Sequence, residues 1–277
     1  MPTQKKSINK NEISFDGKKP IILLIHGFPF DHKMYESVSS KIASVCDVIA
    51  PDLVGFGNQE NSKDQTTIRT MTDFADQIEM ILQYLGVQRP IFLCGLSMGG
   101  YISMEFVRHY SSRLAGLILC DTKTIPDSAE AASNRLKLAD SISSEKLPAI
   151  ADQMISNLLC EETFAKSPQV VDFLRKMILR QPINGIAAAS RGMAKRVDTT
   201  DLLRTITVPV LLICGDQDAL SPPESMIALK ESIATQNPST SIEFVSIPNC
   251  GHLPPLEQPD LFAQTIIDFV KKTTLAS

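Results

Sequence analysis

The residues Ile91-Phe-Leu-Cys-Gly-Leu-Ser-Met-Gly-Gly100 decide the fold of this chain. Ile91–Cys94 is an apolar run bounded by Pro90 and Gly95, which predicts a buried strand. After it, apolar residues recur at intervals of four, the spacing of one face of a helix. These residues are Met98, Ile102, Phe106 and Tyr110. The stretch therefore predicts a strand, a tight turn and a helix in direct succession.

The turn carries the pattern G-x-S-x-G at residues 95–99. Between a strand and a helix this pattern is typical of a nucleophile elbow, whose glycines stand where a Cβ would meet the neighbouring backbone. It predicts that Ser97 is a nucleophile in strained backbone at a helix N-terminus, where peptide N–H groups stabilise a developing anion. A short pattern also occurs by chance, but the strand before it and the helix after it favour the functional interpretation.

The composition places the chain among ordinary globular proteins. Its 277 residues suffice for one large α/β domain, with or without an inserted subdomain. No apolar run approaches the ~18 residues of a membrane helix, and the N-terminal MPTQKKSINKNE has no apolar signal region. A net charge of −4 without a dense basic run argues against nucleic acid. We therefore expect a soluble cytoplasmic protein with neither a nucleic-acid nor a membrane partner, of unknown oligomeric state.

The cysteine and histidine positions bear on disulfides and metals. There are six cysteines but no CxxC pair, and three of them (Cys94, Cys120 and Cys214) each close an apolar run. This pattern predicts reduced, buried thiols. The four histidines form no HxH or HExxH spacing, so neither a metal site nor a cofactor is expected.

Apolar runs alternate with amphipathic stretches along most of the chain, which predicts a parallel sheet with helices on both faces. The predicted strands are 20–25, 45–50, 91–94, 114–120, 208–214 and 241–247, with weak edge strands within 5–16. The predicted helices of this part are 31–44, begun by Asp31 as N-cap, and 66–85, 98–110, 222–234 and 260–270. The fold class is therefore a three-layer α/β/α sandwich.

Residues 122–200 differ from the rest because they contain no convincing strand and are divided by four prolines. Their clearest helical pattern runs from Leu147 to Leu159. We predict a core of residues 1–121 and 201–277 with a helical lid at 122–200, since such insertions cover active sites and exclude water. The alternative is that these helices simply extend the core.

A serine nucleophile requires a general base. Only His26 and His252 follow predicted strands. His252 lies in a flexible loop after the last strand and is the favoured base, whereas His26 abuts its strand and is expected to prop the adjacent loop by hydrogen bonding.

The acid that orients the imidazole should also follow a strand. Asp121, Asp216 and Asp218 do so. The order nucleophile, acid, histidine favours the last two, and the position three residues after Gly215 favours Asp218. Asp121 is the second choice, and Asp216 is expected to brace its turn.

Two backbone N–H groups should receive the oxyanion. Met98, which follows the nucleophile, is one predicted donor, and Phe28, in the loop after an earlier strand, is the other. The alternative for Phe28 is an aromatic side chain that lines the pocket, and both roles are compatible.

Several motifs occur in an order that resembles the α/β-hydrolase superfamily along nearly the whole chain. They are HGFP at 26–29, DLVGFG at 52–57, GLSMGG at 95–100, GDQD at 215–218 and GH at 251–252. Within it, residues 95–102, 117–123, 177–180 and 253–259 are similar to the branch of carboxylesterases and 3-oxoadipate enol-lactonases. Val54 departs from the common proline, and Asn58-Gln59 from a serine that often follows the glycines, which affects loop shape more than chemistry.

The residues and the resemblance together imply a serine hydrolase that cleaves a small carboxylic ester or lactone through an acyl-enzyme, without metal or organic cofactor. Dehalogenases and most epoxide hydrolases of this fold use an elbow aspartate, which Ser97 argues against. Cofactor-free haloperoxidases, perhydrolases, acyltransferases and carbon–carbon bond hydrolases stay open, as does a non-catalytic scaffold. An inward-facing lid arginine would suit a substrate with a second carboxylate, although solvated helix faces are the simpler interpretation. The candidates are Arg135, Arg175, Arg180, Arg191 and Arg196.

Overall fold

A computed structural model describes residues 17–59 and 67–276. Its centre is a six-stranded sheet in the order β2-β1-β3-β4-β5-β6, with every neighbouring pair parallel. The strands are β1 Ile21–Ile25, β2 Asp47–Ile49, β3 Ile91–Leu96, β4 Leu114–Cys120, β5 Val210–Gly215 and β6 Ile242–Ile247. All six correspond to predicted strands, and the edge strands expected within 5–16 lie outside the described residues.

The helices fall before, between and after the strands. They are α1 Glu36–Ile42, α2 Met71–Tyr84, α3 Met98–Tyr110, α4 Ala129–Ser141, α5 Leu147–Leu158, α6 Glu161–Lys166, α7 Pro168–Leu179, α8 Ile183–Ala194, α9 Pro223–Gln236, α10 Pro254–Glu257 and α11 Pro259–Ala276. Three short 3-10 helices span His32–Tyr35, Ser111–Arg113 and Thr200–Thr205.

Strand β3 shows how the layers are arranged. Phe92 stacks edge-on against Phe269 of α11, with ring centroids 6.1 Å apart. Gly95, three positions further along the strand, lies against Gly99 and Ser103 of α3. Because alternate residues of a strand point to opposite faces, α11 and α3 cover opposite faces of the sheet. The predicted three-layer α/β/α architecture is confirmed.

The central strands are apolar on both faces, as expected for a parallel sheet covered by helices. In β1 and β3 every residue is buried. Side chains of these strands and of the flanking helices form one continuous hydrophobic core. All six cysteines are free and buried, and their burial agrees with the prediction. Burial raises the pKa of the Cys46 thiol to about 12.

Two element boundaries differ from the predictions for identifiable reasons. Strand β3 continues to Leu96 because Gly95 keeps its register with Ile25 on one side and Leu119 on the other. Helix α2 begins later than predicted, at Met71. There Thr70 and Asp73 form a capping box, in which each side chain accepts a hydrogen bond from the other residue's N–H.

The first predicted helix begins as a 3-10 turn at His32 and becomes α-helical only at Glu36. Asp31 caps this turn as predicted, accepting a hydrogen bond from the Lys33 N–H.

Residues 122–200, called the cap segment below, contain α4 to α8. All of these residues are described, and none belongs to a strand. Helix α4 packs on α8 and α5 on α7. A backbone hydrogen bond from Arg69, just before α2, to Ala188 joins the cap segment to the rest of the chain. Another, from Thr199 to Thr124, joins the two ends of the cap segment to each other. No helix in the described ranges is both long and apolar enough to cross a bilayer.

Candidate active site

Ser97 occupies the sharp turn between β3 and α3. Its backbone has φ 54° and ψ −112°, a conformation that side-chain-bearing residues rarely adopt and that stores local strain. A Cβ on Gly95 would collide with the Gly99 carbonyl oxygen, and one on Gly99 with the Ile25 carbonyl oxygen. The two glycines are therefore required for the turn to pass between its neighbours, which is the geometry of a nucleophile elbow.

Backbone and side-chain hydrogen bonds hold the turn from the neighbouring strand. The Ser97 N–H donates to the Cys120 carbonyl, and the Thr122 hydroxyl donates to the Ser97 carbonyl, both at 2.9 Å. Met98 is the first residue of α3, so its N–H has no partner within the helix. That N–H sits at the positive end of the helix dipole, beside the serine.

Asp218 and His252 form a buried pair on two other loops. Asp218 follows β5 and His252 follows β6, and the C-terminal ends of parallel strands meet at one edge of a sheet. The His252 Nδ1 lies 2.8 Å from Asp218 Oδ2, and both side chains are almost fully buried. The structure thus brings together the predicted acid and base.

The charge state of Asp218 sets the tautomer of His252. Burial opposes ionisation of Asp218, but the hydrogen bond and charge of His252 and the N–H groups of Leu220 and Ser221 lower its pKa below the ordinary value. An ionised carboxylate only accepts hydrogen bonds, so Nδ1 of His252 carries the proton. In the neutral imidazole, Nε2 is then the nitrogen without a proton, the one that a general base uses.

Ser97, His252 and Phe28 line one cavity of about 330 Å³. Its other lining residues are Arg135, Leu138, Ile150, Gln153, Met154, Leu158, Met193 and Leu220. In the described chain no hydrogen bond joins Ser97 Oγ to His252. Such bonds are commonly long or poorly aligned before substrate binds. The cavity therefore places the predicted nucleophile, base and one oxyanion residue around the same space.

Asp121, the second-choice acid, lies beside Asp218. It is fully buried with a positive φ of 45°. Its Oδ1 accepts a hydrogen bond from the Gly215 N–H at 2.9 Å, while its Oδ2 has no partner among the described residues. Burial and the Asp218 charge raise the pKa of Asp121 well above its usual range. The pKa values of these two neighbouring carboxyls are thus shifted in opposite directions.

His26 and Asp216, which the sequence predicts to stabilise loops, also make the expected hydrogen bonds. His26 is fully buried and accepts a hydrogen bond from the Leu53 N–H at Nε2, so its Nδ1 donates to the Gly27 carbonyl. Burial lowers the pKa of His26, which favours this neutral form. Asp216 accepts a hydrogen bond from the Cys250 N–H and joins the loop after β5 to the loop of His252. Both side chains brace loops, as expected.

An ion pair that sequence reasoning missed joins the cap segment to the loop after β1. Arg180 donates two hydrogen bonds to Asp31, at 2.5 and 2.8 Å, and Gln181 donates a third. Burial opposes ionisation of Asp31, but these contacts lower its pKa. The sequence carries no local signal for this pair because its members are 149 residues apart.

Two groups of side chains have the composition of metal ligands, namely Asp31, His32 and Asp52 and the trio Asp121, Asp218 and His252. In the first group the carboxylates already accept hydrogen bonds from Arg180, Gln181, His32 and backbone N–H groups. The second contains the acid–base pair itself. Metal-independent chemistry stays a prediction.

Comparison with known proteins assigns the family. The model of the family described as alpha/beta hydrolase fold matches residues 20–259. The chain belongs to the α/β-hydrolase fold family. An esterase from Thermogutta terrifontis, solved with malate bound, is 43% identical and superposes with a TM-score of 0.85, covering 92% of this chain and 90% of that one.

Other α/β-hydrolases are more distant. Monoacylglycerol lipase ABHD6 of Homo sapiens is 28% identical, with 92% of this chain and 76% of that protein covered. The 3-oxoadipate enol-lactonase 1 of Acinetobacter baylyi is 23% identical, with coverage of 91% and 89%. The predicted superfamily resemblance is confirmed, and hydrolase activity is supported by the family and by its esterase and lactonase members.

Proposed function

We propose that this α/β-hydrolase is a serine hydrolase that cleaves a carboxylic ester or lactone through an acyl-enzyme. The observation that carries the proposal is the buried Asp218–His252 pair, which opens on the same cavity as the strained Ser97. A serine hydroxyl becomes a useful nucleophile only beside such an oriented base.

In the proposed reaction, Nε2 of His252 takes the proton of Ser97 as Oγ attacks the substrate carbonyl carbon. Asp218 keeps Nδ1 protonated and stabilises the imidazolium. The imidazolium then protonates the leaving alkoxide, and the alcohol departs. Water, deprotonated by His252, attacks the acyl-enzyme, and the carboxylic acid is released with Ser97 restored.

The N–H groups of Met98 and Phe28 are the proposed oxyanion donors. Met98 has the unpartnered position at the start of α3, and Phe28 lines the cavity beside Ser97. Loss of one such donor typically costs about 2.7–4 kcal/mol of transition-state stabilisation.

The cap segment is proposed to act as the lid. Seven of the eleven residues that line the catalytic cavity come from it, and most of those seven are apolar. A lid of this kind shapes the substrate site and keeps water from the acyl-enzyme until the alcohol has left.

A second candidate substrate class carries a carboxylate besides the scissile bond, as the acidic lactone of an enol-lactonase does. Of the five cap arginines, only Arg135 lines the cavity. The others pair elsewhere, as Arg175–Asp152, Arg180–Asp31, Arg191–Asp140 and Arg196–Asp127. Arg135 shares the Asp127 carboxylate with Arg196, so one carboxylate is divided between two guanidinium groups. The malate in the Thermogutta terrifontis esterase accords with this choice.

The first experiment is hydrolysis of p-nitrophenyl esters of increasing acyl length by wild type and Ser97→Ala. The kcat of Ser97→Ala should be lower than that of wild type by about 10⁴-fold or more, because the nucleophile is lost. A fluorophosphonate should label wild type at Ser97 and leave the variant unlabelled. Esterase activity that survives in Ser97→Ala would contradict the mechanism.

The same assay separates the remaining alternatives. An acyltransferase or perhydrolase would divert the acyl group when an alcohol or hydrogen peroxide is added, whereas a hydrolase would still release mainly the acid. Labelling without ester hydrolysis would favour a narrow lactonase or a carbon–carbon bond hydrolase. Absence of both labelling and hydrolysis would favour a scaffold.

A further inference from the structure

Glu257, the last residue of α10, holds the loop that carries His252. Its Oε1 accepts hydrogen bonds from the N–H groups of Gly251, at 3.0 Å, and Leu253, at 3.1 Å. These two residues flank His252 on either side. One carboxylate oxygen therefore fixes the backbone immediately before and after the general base.

The other carboxylate oxygen reaches the cap segment. Glu257 Oε2 accepts a hydrogen bond from the Cys160 N–H at 2.8 Å, in the turn between α5 and α6. The same turn returns a bond, since the His252 N–H donates to the Leu158 carbonyl at 2.8 Å. Leu158 also lines the catalytic cavity. The base loop and the cap are thus joined by hydrogen bonds in both directions.

These hydrogen bonds restrict the backbone conformation of the His252 loop. Gly251, His252 and Leu253 are all buried, so their N–H groups cannot turn to water if the carboxylate is lost. Asn249, two residues earlier, has a φ of 50° outside regular structure. The imidazole is attached to backbone whose position depends on the hydrogen bonds that its N–H groups donate to Glu257 and Leu158.

We propose that Glu257 is a positioning residue for the general base and couples the placement of His252 to the seating of the cap segment. The inference rests on the proposed function, in which His252 acts on Ser97. Glu257 lines no part of the catalytic cavity and acts only through the backbone of the residues it holds.

Two substitutions separate the two sides of this contact. In Glu257→Gln the remaining oxygen can still accept from Gly251 and Leu253, while the amide N–H faces the Cys160 N–H. In Glu257→Ala both sides are lost. Glu161→Ala, an exposed carboxylate on α6, is the matched control and should behave as wild type.

Active sites are counted by fluorophosphonate titration, so that kcat refers to folded enzyme. Because a displacement of about 1 Å can cost 10²-fold, Glu257→Ala should lose about 10- to 100-fold in kcat. Glu257→Gln should keep kcat within about threefold, while its KM rises as the cap loosens. Equal kcat per active site in Glu257→Ala and wild type would overturn the proposal.

A second readout needs no turnover. The proton shared by His252 Nδ1 and Asp218 should give a low-field proton resonance in wild type and Glu257→Gln, broadened or lost in Glu257→Ala. An unchanged resonance in folded Glu257→Ala overturns the positioning role. If Glu257→Ala does not fold, a wild-type KM in Glu257→Gln overturns the coupling to the cap.

The resonance also separates the two proposals. If wild type hydrolyses no ester, the proposed function fails, while the effect of Glu257 on the His252–Asp218 hydrogen bond remains measurable and decides the inference.

Discussion

Two aspartates lie side by side beneath the catalytic cavity and differ in their partners. Asp218 holds His252 and receives backbone N–H groups, which stabilise its charge. Asp121 has one backbone donor and an unpaired oxygen facing the same region. A charge on one of two buried neighbouring carboxyls raises the pKa of the other, and here the pKa of Asp121 is the one raised. At the residue scale, hydrogen-bond partners rather than residue type distinguish the aspartate proposed as the acid from its neighbour.

The protonation of Asp121 predicts how its replacement changes stability with pH. In the unfolded chain Asp121 ionises near its ordinary pKa, while in the folded protein it keeps its proton well above that value. Above that ordinary value the folded state therefore binds more protons, and stability falls as pH rises. Asp121→Asn should gain in unfolding free energy relative to wild type between pH 3 and pH 7, measured by urea denaturation. A difference independent of pH would contradict a protonated Asp121.

Asp52 should change stability with pH in the opposite direction, again measured by urea denaturation. Burial opposes its ionisation, but hydrogen bonds from His32 and the Asn58 N–H lower its pKa to about 2. Its contribution to stability, roughly 2 kcal/mol from the size of that shift, is present above its ordinary pKa and lost as pH falls towards 2. Asp52→Asn should therefore lose more stability at pH 7 than at pH 3.

Arg135 tests the proposed carboxylate-bearing substrate. Arg135→Met should lower kcat/KM for the mono-p-nitrophenyl ester of glutaric acid by about 10- to 100-fold, since a hydrogen bond to a charged group contributes about 1.5–3 kcal/mol. The uncharged p-nitrophenyl pentanoate, of equal length, should change little. Arg175→Met is the matched control, because Arg175 pairs with Asp152 at the surface and does not line the cavity. An unchanged preference between the two esters would remove Arg135 from substrate recognition.

At the scale of elements, the cap segment is hydrogen-bonded to three loops that follow strands of the sheet. Its α5–α6 turn is bonded to the His252 loop through Glu257 and Leu158. Directly after α7, Arg180 and Gln181 donate hydrogen bonds to Asp31 in the loop after β1. The Gln181 amide oxygen accepts a hydrogen bond from the Gly57 N–H in the loop after β2. The loop after β1 also carries Phe28. Movement of the cap segment would thus displace the loops of both His252, the proposed base, and Phe28, a proposed oxyanion donor.

A double-mutant cycle on Asp31 and Arg180 measures the second of these contacts. Asp31 is buried and Arg180 partly exposed, so we expect a coupling of about 1–3 kcal/mol in urea unfolding, below that of a fully buried pair. The exposed Arg175–Asp152 pair is the control and should couple more weakly, because solvent screens it. Equal coupling energies for the two pairs would show that the Asp31–Arg180 ion pair does not stabilise the attachment of the cap segment.

At the scale of the whole molecule, the parallel sheet gathers the site from distant parts of the chain. Ser97, Asp121, Asp218 and His252 follow four strands that end at the same edge. The hydrophobic core beneath this edge is continuous and supports the loops that carry these polar groups. The helices between β4 and β5 supply most of the residues that line the cavity.

Much of this organisation follows from the sequence alone. The period of the apolar residues distinguishes strands from helices, because a strand repeats every two residues and a helix every 3.6. Gly95 and Gly99 stand where a Cβ would collide with neighbouring backbone, so the G-x-S-x-G pattern in the sequence predicts the elbow. Chain order then placed Ser97, Asp218 and His252 on loops at one sheet edge, where the structure finds them.

Tertiary structure decided what depends on contacts between distant residues. The ends of β3 and α2 were set by sheet register and by a capping box that apolar periodicity does not report. Which cap arginine faces the cavity, which aspartate keeps its proton, and which carboxylate holds the His252 loop all depend on distances across the fold. Side-chain charge and hydrogen bonding act through space, and only the folded chain brings those groups within reach.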